Sequence, residues 1–389
     1  MSTATEDTTV AEPAAQIQTI HIGTRQSLLA RVQADEVAKQ LRAAWPQHRF
    51  EIHAMSTTGD KNQKTALHKF NEKSLWTQEL EVLLQSGDLD LVVHCLKDMP
   101  TQLPADCVIS AITEREDPRD AFVVAPRLAG SVRSLADLPK GSVVGTSSLR
   151  RIAQMKRAYP DLKFADVRGN LGTRLAKLDA PDSQYSALVL AVAGLVRLGM
   201  RERITSYLSK AHGGMLYAVG QGALAIETRQ GDDRIADIVA KIACQRTTLQ
   251  SLAERSLMRT LEGGCSVPIG VETEWIRKTG ILDSDVGLGV KPASDYDQAS
   301  GVALSAVDGA AANKQTENST GVTGETDELL FRGLVISLDG SEVAEVEARK
   351  RILSVEDSVA FGVEMAKALN AKGADKILQA INAQSNRGK

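Results

Sequence analysis

The sequence predicts two α/β units with mostly parallel sheets, followed by a smaller α+β unit. Three observations carry this expectation. Strand-like and helix-like runs alternate from residue 18 to about residue 241, the grammar of βαβ units. Two breaks interrupt the alternation, Glu-Arg-Glu-Asp-Pro-Arg-Asp at 114–120 and His-Gly-Gly-Met at 212–215, as expected where a chain crosses between units. Beyond Lys241 the order changes to a helix, a Gly-Gly-Cys turn, strands and a closing helical region. At 389 residues the chain is also too long for one ordinary core.

In the first unit, residues 18–23 alternate as a strand, after which Ala30, Ala34, Val37, Leu41 and Ala44 recur on one helical face. Residues 50–55 form a second short strand. Leu80, Leu83 and Leu84 stripe a short helix closed by Gly87, and 89–94 is a nearly continuous apolar strand. In the second unit, 142–146 is a strand and 147–159 a helix stopped by Pro160. Strands are expected at 162–167 and 187–191, with 168–174 opening a helix at 175–178. In the third unit, strands at 281–290 and 329–338 flank a segment, 291–328, made of small polar residues and alanine. Such a composition cannot bury enough surface to offset its ordering entropy, so a flexible insertion is expected there. A closing helical region begins at Val355. The resulting division is 18–116 with 217–240, then 117–216, then 241–389, preceded by a disordered tail at 1–17.

Composition narrows the function. An apolar fraction of 43% and a charged fraction of 24% suit a water-soluble enzyme, and a net charge of -3 supplies no global field toward nucleic acid or anionic membrane. Any anion site must be a local cluster of Arg and Lys. No apolar run approaches the length of a membrane span. The tail has neither the basic start of a secretory signal nor the arginines of a transit peptide, so a cytoplasmic location is expected. Cys95, Cys107, Cys244 and Cys265 form no C-x-x-C pair, which predicts free thiols, and with the six scattered histidines predicts no metal site.

Three strand-to-helix junctions share one chemical feature: Gly-Thr-Arg25-Gln-Ser27, Gly-Thr146-Ser147-Ser148-Leu-Arg150-Arg151, and Arg168-Gly-Asn-Leu-Gly-Thr-Arg174. Helix N-termini offer unsatisfied N–H donors, and arginine adds a planar fork that matches a carboxylate. In open α/β sheets such junctions lie where ligands bind, so the three could converge on a polycarboxylate or phosphorylated ligand. The plainer alternative makes the hydroxyls N-caps and the arginines solvated charges. Next, the apolar strand at 89–94 delivers Lys97 and Asp98 to its carboxyl end before Pro100 turns the chain out of the sheet. A carboxylate beside an ammonium suits proton donation and stabilisation of a developing cation; the alternative is a structural ion pair. Finally, Leu-Glu-Gly-Gly-Cys265-Ser-Val-Pro presents one cysteine on a glycine-supported turn, either a nucleophile for a covalent tether or an inert thiol. Gly-Gln-Gly-Ala-Leu-Ala at 220–225 fits only a loose dinucleotide pattern, because strand-like residues follow it.

Read together, these segments closely resemble the porphobilinogen deaminase family. The likeness runs over 19–280 and again over 329–380. It includes Glu-Lys-Ser-Leu-Trp-Thr-Gln-Glu-Leu-Glu at 72–81, His-Cys-Leu-Lys-Asp-Met-Pro-Thr at 94–101, Val-Gly-Thr-Ser-Ser-Leu-Arg-Arg at 144–151 and Leu-Glu-Gly-Gly-Cys-Ser-Val-Pro-Ile-Gly at 261–270. The resemblance implies a monomer with two domains like those of type II periplasmic binding proteins, hinged around a cleft, and a third domain carrying the cofactor cysteine. It implies a dipyrromethane cofactor joined by a thioether to Cys265, with Asp98 as the catalytic aspartate. The substrate would be porphobilinogen, four of which are deaminated and joined head to tail before hydroxymethylbilane is released, in tetrapyrrole and heme biosynthesis. Arg25, Ser27, Lys97, Thr146, Ser147, Ser148, Arg150, Arg151, Arg168, Arg174 and Arg197 match the family's binding positions for cofactor and growing chain. Cys95 stands where the family usually has Ser, and Trp76 where Phe is common; neither change removes a charge. The rival expectation is a non-catalytic two-domain binding protein for a small polyanion.

Overall fold

The computed structural model describes residues 17–57, 77–261, 267–278, 290–292 and 324–387. The tail at 1–16, Trp76, Cys265 and most of the insertion lie outside these residues, as does the strand expected at 281–290 except for its last residue.

Along the chain, β1 (Thr19–Arg25), α1 (Leu28–Ala44), β2 (Arg49–Met55), α2 (Gln78–Ser86), β3 (Leu91–Cys95) and β4 (Cys107–Ile112) come first. Then follow β5 (Asp120–Val124), β6 (Val143–Gly145), α3 (Leu149–Ala158), β7 (Lys163–Ala165), α4 (Leu171–Asp179), β8 (Ala187–Ala191), α5 (Val192–Arg197) and β9 (Ser206–Leu208). The chain ends with β10 (Leu224–Arg229), α6 (Asp233–Ala240), α7 (Gln245–Thr260), β11 (Ile269–Lys278), β12 (Val290–Pro292), β13 (Gly324–Ile336), β14 (Val343–Arg351), α8 (Val355–Ala371) and α9 (Ala374–Arg387).

The first sheet has the order β2-β1-β3-β10-β4 and the second β7-β6-β8-β5-β9. The pairing is the same in both. Three strands run parallel, the fourth is reversed, and the fifth pairs antiparallel with the fourth. Four strands of five therefore share one direction, so the expected mostly parallel sheets are present with one reversal in each. The reversed strands have a topological cause: β5 is the strand on which the chain enters the second unit, and β10 the strand on which it returns to the first. This arrangement agrees with the expected pair of periplasmic-binding-protein-like α/β units around a cleft.

Packing explains the local elements. Ser27 caps α1, its Oγ accepting from the Ala30 N–H at 3.4 Å. Ala34, Val37, Ala38 and Leu41 then bury one face against Ile20, Ile22, Leu91 and Val93 of the sheet. Each large aliphatic side chain removed from water in this way contributes about 1.5–3 kcal/mol. Gly87 ends α2 in the left-handed region at φ 87°. The helix at the third junction departs from expectation: it begins at Leu171 rather than residue 175, because Asn170 is its N-cap and accepts the Thr173 N–H at 2.9 Å. The strand expected at 162–167 is limited to Lys163–Ala165, so Val167 and Arg168 belong to the loop at its carboxyl end.

The third unit is an antiparallel sheet, β12-β11-β13-β14, covered by α7, α8 and α9 over Leu257, Phe331, Phe361, Met365 and Leu369. It holds the two crossing segments. Glu254 of α7 is fully buried and receives a bidentate Arg115 fork at 2.7 and 3.0 Å from the first crossing. The same carboxylate accepts the Gly220 N–H at 2.8 Å from the second crossing, which runs past the break expected at 212–215 to the start of β10 at Leu224. Burial disfavours the Arg115 charge, but Glu254 overcomes that and raises its pKa. Where the two crossings touch, Gly222 has φ 90°, and a Cβ there would stand 2.2 Å from the Glu116 carbonyl oxygen. Only glycine lets the two segments pass.

Candidate functional site

The carboxyl ends of the parallel strands of both sheets face one cavity of about 620 Å³. From the first unit, β1 ends in Arg25 and turns through Ser27 into α1, while β3 ends at Cys95 and passes into a single 3-10 turn, Leu96–Asp98. Leu96 and Met99 are buried on either side of Lys97 and Asp98 and act as anchors, so that the two polar side chains reach the cavity wall. From the second unit come Ser147, after β6, and Arg168 and Arg174, on either side of the Asn170 cap. Arg197, at the end of α5, completes the wall and ties the units together. Its Nε donates to Glu36 of α1 at 3.0 Å and an Nη to the Gly222 carbonyl at 3.1 Å.

The cavity is crowded with positive charge. Burial lowers the Lys97 pKa, opposed by Asp98 and reinforced by Arg151. Burial also lowers that of Arg174, and Arg151 and Arg168 push it further in the same direction. Cations that destabilise one another in a cavity are a standing attraction for anions. Cys95 also lines the wall, but burial and the nearby Asp98 carboxylate raise its thiol pKa. It stays protonated and exchanges hydrogen bonds with the Gln33 amide at 3.0 and 3.3 Å, which leaves it a poor nucleophile.

Thr146, Ser148 and Arg150 stand behind the wall, to which Ser147 and Arg151 also belong. Thr146 is buried, its Oγ1 accepting the Ser148 N–H at 3.3 Å, and Ser148 caps α3 by accepting the Arg151 N–H at 3.5 Å. At these two positions the structure shows the plainer capping chemistry. Ser147 does both, reaching the cavity while donating to the Val167 carbonyl at 2.9 Å. Arg150 points into the interior, donating to Asp120 at 2.8 Å and to the Leu216 carbonyl at 2.6 Å. Arg151 lines the cavity, yet its Nε and one Nη donate to the other Asp120 oxygen at 3.1 and 2.7 Å. Burial alone would raise the Asp120 pKa, but the two guanidiniums hold it well below the usual carboxylate range.

Sequence reasoning missed this carboxylate and its third side-chain partner, Gln221. The Gln221 side-chain N–H donates to Asp120 at 2.8 Å, and its amide oxygen lies 3.5 Å from the Lys97 Nζ. In the sequence Asp120 closes a charged break and Gln221 sits in a loose glycine pattern, and both fall in stretches that resemble the family, but neither position by itself points to the site. The available signal was that a lone acid beginning an apolar strand needs a buried cation. His94 is a core residue, its Nε2 lying 2.9 Å from Glu227. Among the described residues, no helix is long and apolar enough to cross a membrane.

Residues 20–237 match the family described as porphobilinogen deaminase, dipyromethane cofactor binding domain, and residues 248–286 match its C-terminal domain. A Neurospora crassa protein named porphobilinogen deaminase is 43% identical over 371 residues, covering 94% of this chain and 95% of its own. Proteins of the same name from Candida albicans and Saccharomyces cerevisiae are 45% and 42% identical, each over 94% of this chain and over 94% and 98% of their own. Among solved structures, the methionine binding protein MetQ aligns with 61% of this chain and 93% of its own at 17% identity and a TM-score of 0.34.

Proposed function

The chain belongs to the porphobilinogen deaminase family, and from that premise we propose how its own residues divide the work. The enzyme is a transferase that deaminates four porphobilinogen molecules and joins them head to tail, releasing hydroxymethylbilane. Dipyrromethane, when bound, supplies the pyrrole ring on which the first new carbon–carbon bond forms.

The residues present fit such a group. Each pyrrole unit brings two carboxylates, and an unpaired buried carboxylate would cost several kcal/mol, roughly. Arg25, Lys97, Arg168 and Arg174, with the Ser27 and Ser147 hydroxyls, offer donors around one cavity large enough for several rings. In this reading Asp98 accepts hydrogen bonds from pyrrole N–H groups and stabilises the cation that develops on the substrate as its aminomethyl C–N bond breaks and ammonia departs. Arg151 holds a carboxylate at the edge of the cleft, and Arg150 positions it through Asp120. Thr146 and Ser148 set the loop that carries Ser147, and Arg197 fixes the approach of one unit to the other. The single observation that carries the proposal is one carboxylate, Asp98, set on a wall otherwise rich in cations.

The reading extends to a thioether between the cofactor and Cys265, a monomer in the cytoplasm, and no nucleic-acid or membrane partner. It also divides the chain as 18–116 with 217–240, 117–216 and 241–389, a division supported by the three sheets. A non-catalytic polyanion binder would need no acid at Asp98, and the named relatives are deaminases.

Intact-protein mass spectrometry tests the assignment. The purified enzyme is expected to carry a dipyrromethane adduct that is missing in Cys265→Ala. Asp98→Ala is expected to keep the adduct and to turn over about 10²–10⁴-fold more slowly. A bare thiol in the native protein, or near-normal turnover in Asp98→Ala, would overturn it.

A further inference from the structure

His21, Glu51 and His53 are distant in composition from the cleft chemistry, and their placement is dictated by strand register. β1 and β2 are parallel neighbours in which His21 lies opposite Glu51 and Gly23 opposite His53. Residues 51 and 53 are two apart on one strand, so their side chains leave the same face. Ile20, Ile22 and Phe50 take the opposite face into the core. The three polar side chains are thereby gathered on the solvent side of the sheet, and β2 is its edge strand.

The gathered atoms are metal-ligand atoms at near-ligand spacing. His21 Nδ1 stands 2.9 Å from His53 Nε2 and 3.9 Å from a Glu51 oxygen. All three donor atoms lie within 4.8 Å of one another. Around a tetrahedral zinc ion with bonds of 2.0–2.2 Å, neighbouring donors stand about 3.3 Å apart. Reaching that geometry opens the 2.9 Å imidazole pair slightly and draws the Glu51 carboxylate inward, by up to about 1.5 Å from the 4.8 Å limit, a movement that exposed side chains make by rotation. Two imidazoles and one carboxylate form a donor set that zinc-class cations favour over magnesium or calcium, and the exposed side leaves the fourth position to water.

We infer that His21, Glu51 and His53 form a surface site for a divalent cation of zinc's class, separate from the catalytic cleft. Binding uses a lone pair on each of the two facing nitrogens, so the hydrogen bond between the rings gives way to two metal bonds. The bound ion pins the edge strand β2 to β1, four residues before Arg25 enters the cleft.

Titration calorimetry of the full-length holoenzyme with Zn²⁺ tests this, alongside thermal melts with and without the ion. The native enzyme is expected to bind one ion at this site and to melt at higher temperature in its presence. His21→Gln and His53→Gln should each weaken binding at least tenfold and remove the rise in melting temperature. Glu51→Gln should weaken it less, and His48→Gln not at all. Porphobilinogen turnover in metal-free buffer should stay at the native level in every variant, which shows that each folds. Equal zinc affinity and an equal melting shift in the His21→Gln/His53→Gln double variant would overturn the inference, as would no stoichiometric binding by the native enzyme.

Discussion

At Asp120 a single carboxylate meets two guanidiniums in the interior, and that contact determines what Arg150 and Arg151 can do. Arg150 is committed to Asp120 and a backbone carbonyl, whereas Arg151 keeps its place on the cavity wall while being aimed from behind. Removing the carboxylate leaves two buried charges uncompensated. Asp120→Asn is therefore expected to lower unfolding free energy by about 3–5 kcal/mol, read from denaturant midpoints. The sign with pH follows from the depressed pKa of Asp120. Its contribution is present in full above the unfolded aspartate value of about 3.9 and is lost as pH falls through the lower folded value. The stability gap between native and variant protein should thus stay constant from pH 6 to 8 and close only in acid well below pH 4. A gap unchanged down to acid unfolding would contradict the assignment.

Among the elements, the two crossings carry the most consequence per residue. Gly222 permits a backbone approach that no side chain fits, at a positive φ. Gly222→Ala is expected to cost about 2–3 kcal/mol or more through strain and displacement of the 114–120 segment. Circular dichroism melts check the loss, and an unchanged melting temperature would show that the crossings tolerate separation. Helix α1 was legible in the sequence from its apolar stripe with Ser27 before it, and α8 as a helical region opening at Val355, where the structure adds a Ser354 cap. The start of α4 was not, because Gly169 and Gly172 disguised a helix that Asn170 caps. The reversal of β5 and β10 was equally hidden, since strand direction depends on the chain's route between units and leaves no mark on local alternation. Lys97 and Asp98 could be placed at a strand end from the sequence alone; Asp120 could not be matched to Arg151, 31 residues away. For the same reason His21 and His53, 32 apart, read as scattered until the register joined them.

Over the whole molecule, net charge conceals the organising feature. The chain carries -3 overall, yet its two units turn lysine and arginine toward one cavity between the carboxyl ends of their strands. The third unit takes hold of both crossings through Glu254, so any hinge motion is routed around a fixed carboxylate. In this account those cations carry the carboxylates of the lengthening product, and the chain can grow only as far as they neutralise it. The most direct test is the ladder of covalent intermediates seen by intact mass when the enzyme meets limiting porphobilinogen. Native protein should show successive additions of one deaminated substrate unit. Arg168→Ala and Arg174→Ala should stall at the earliest steps or fail to acquire the cofactor. A native-like ladder and native turnover in both variants would contradict the account.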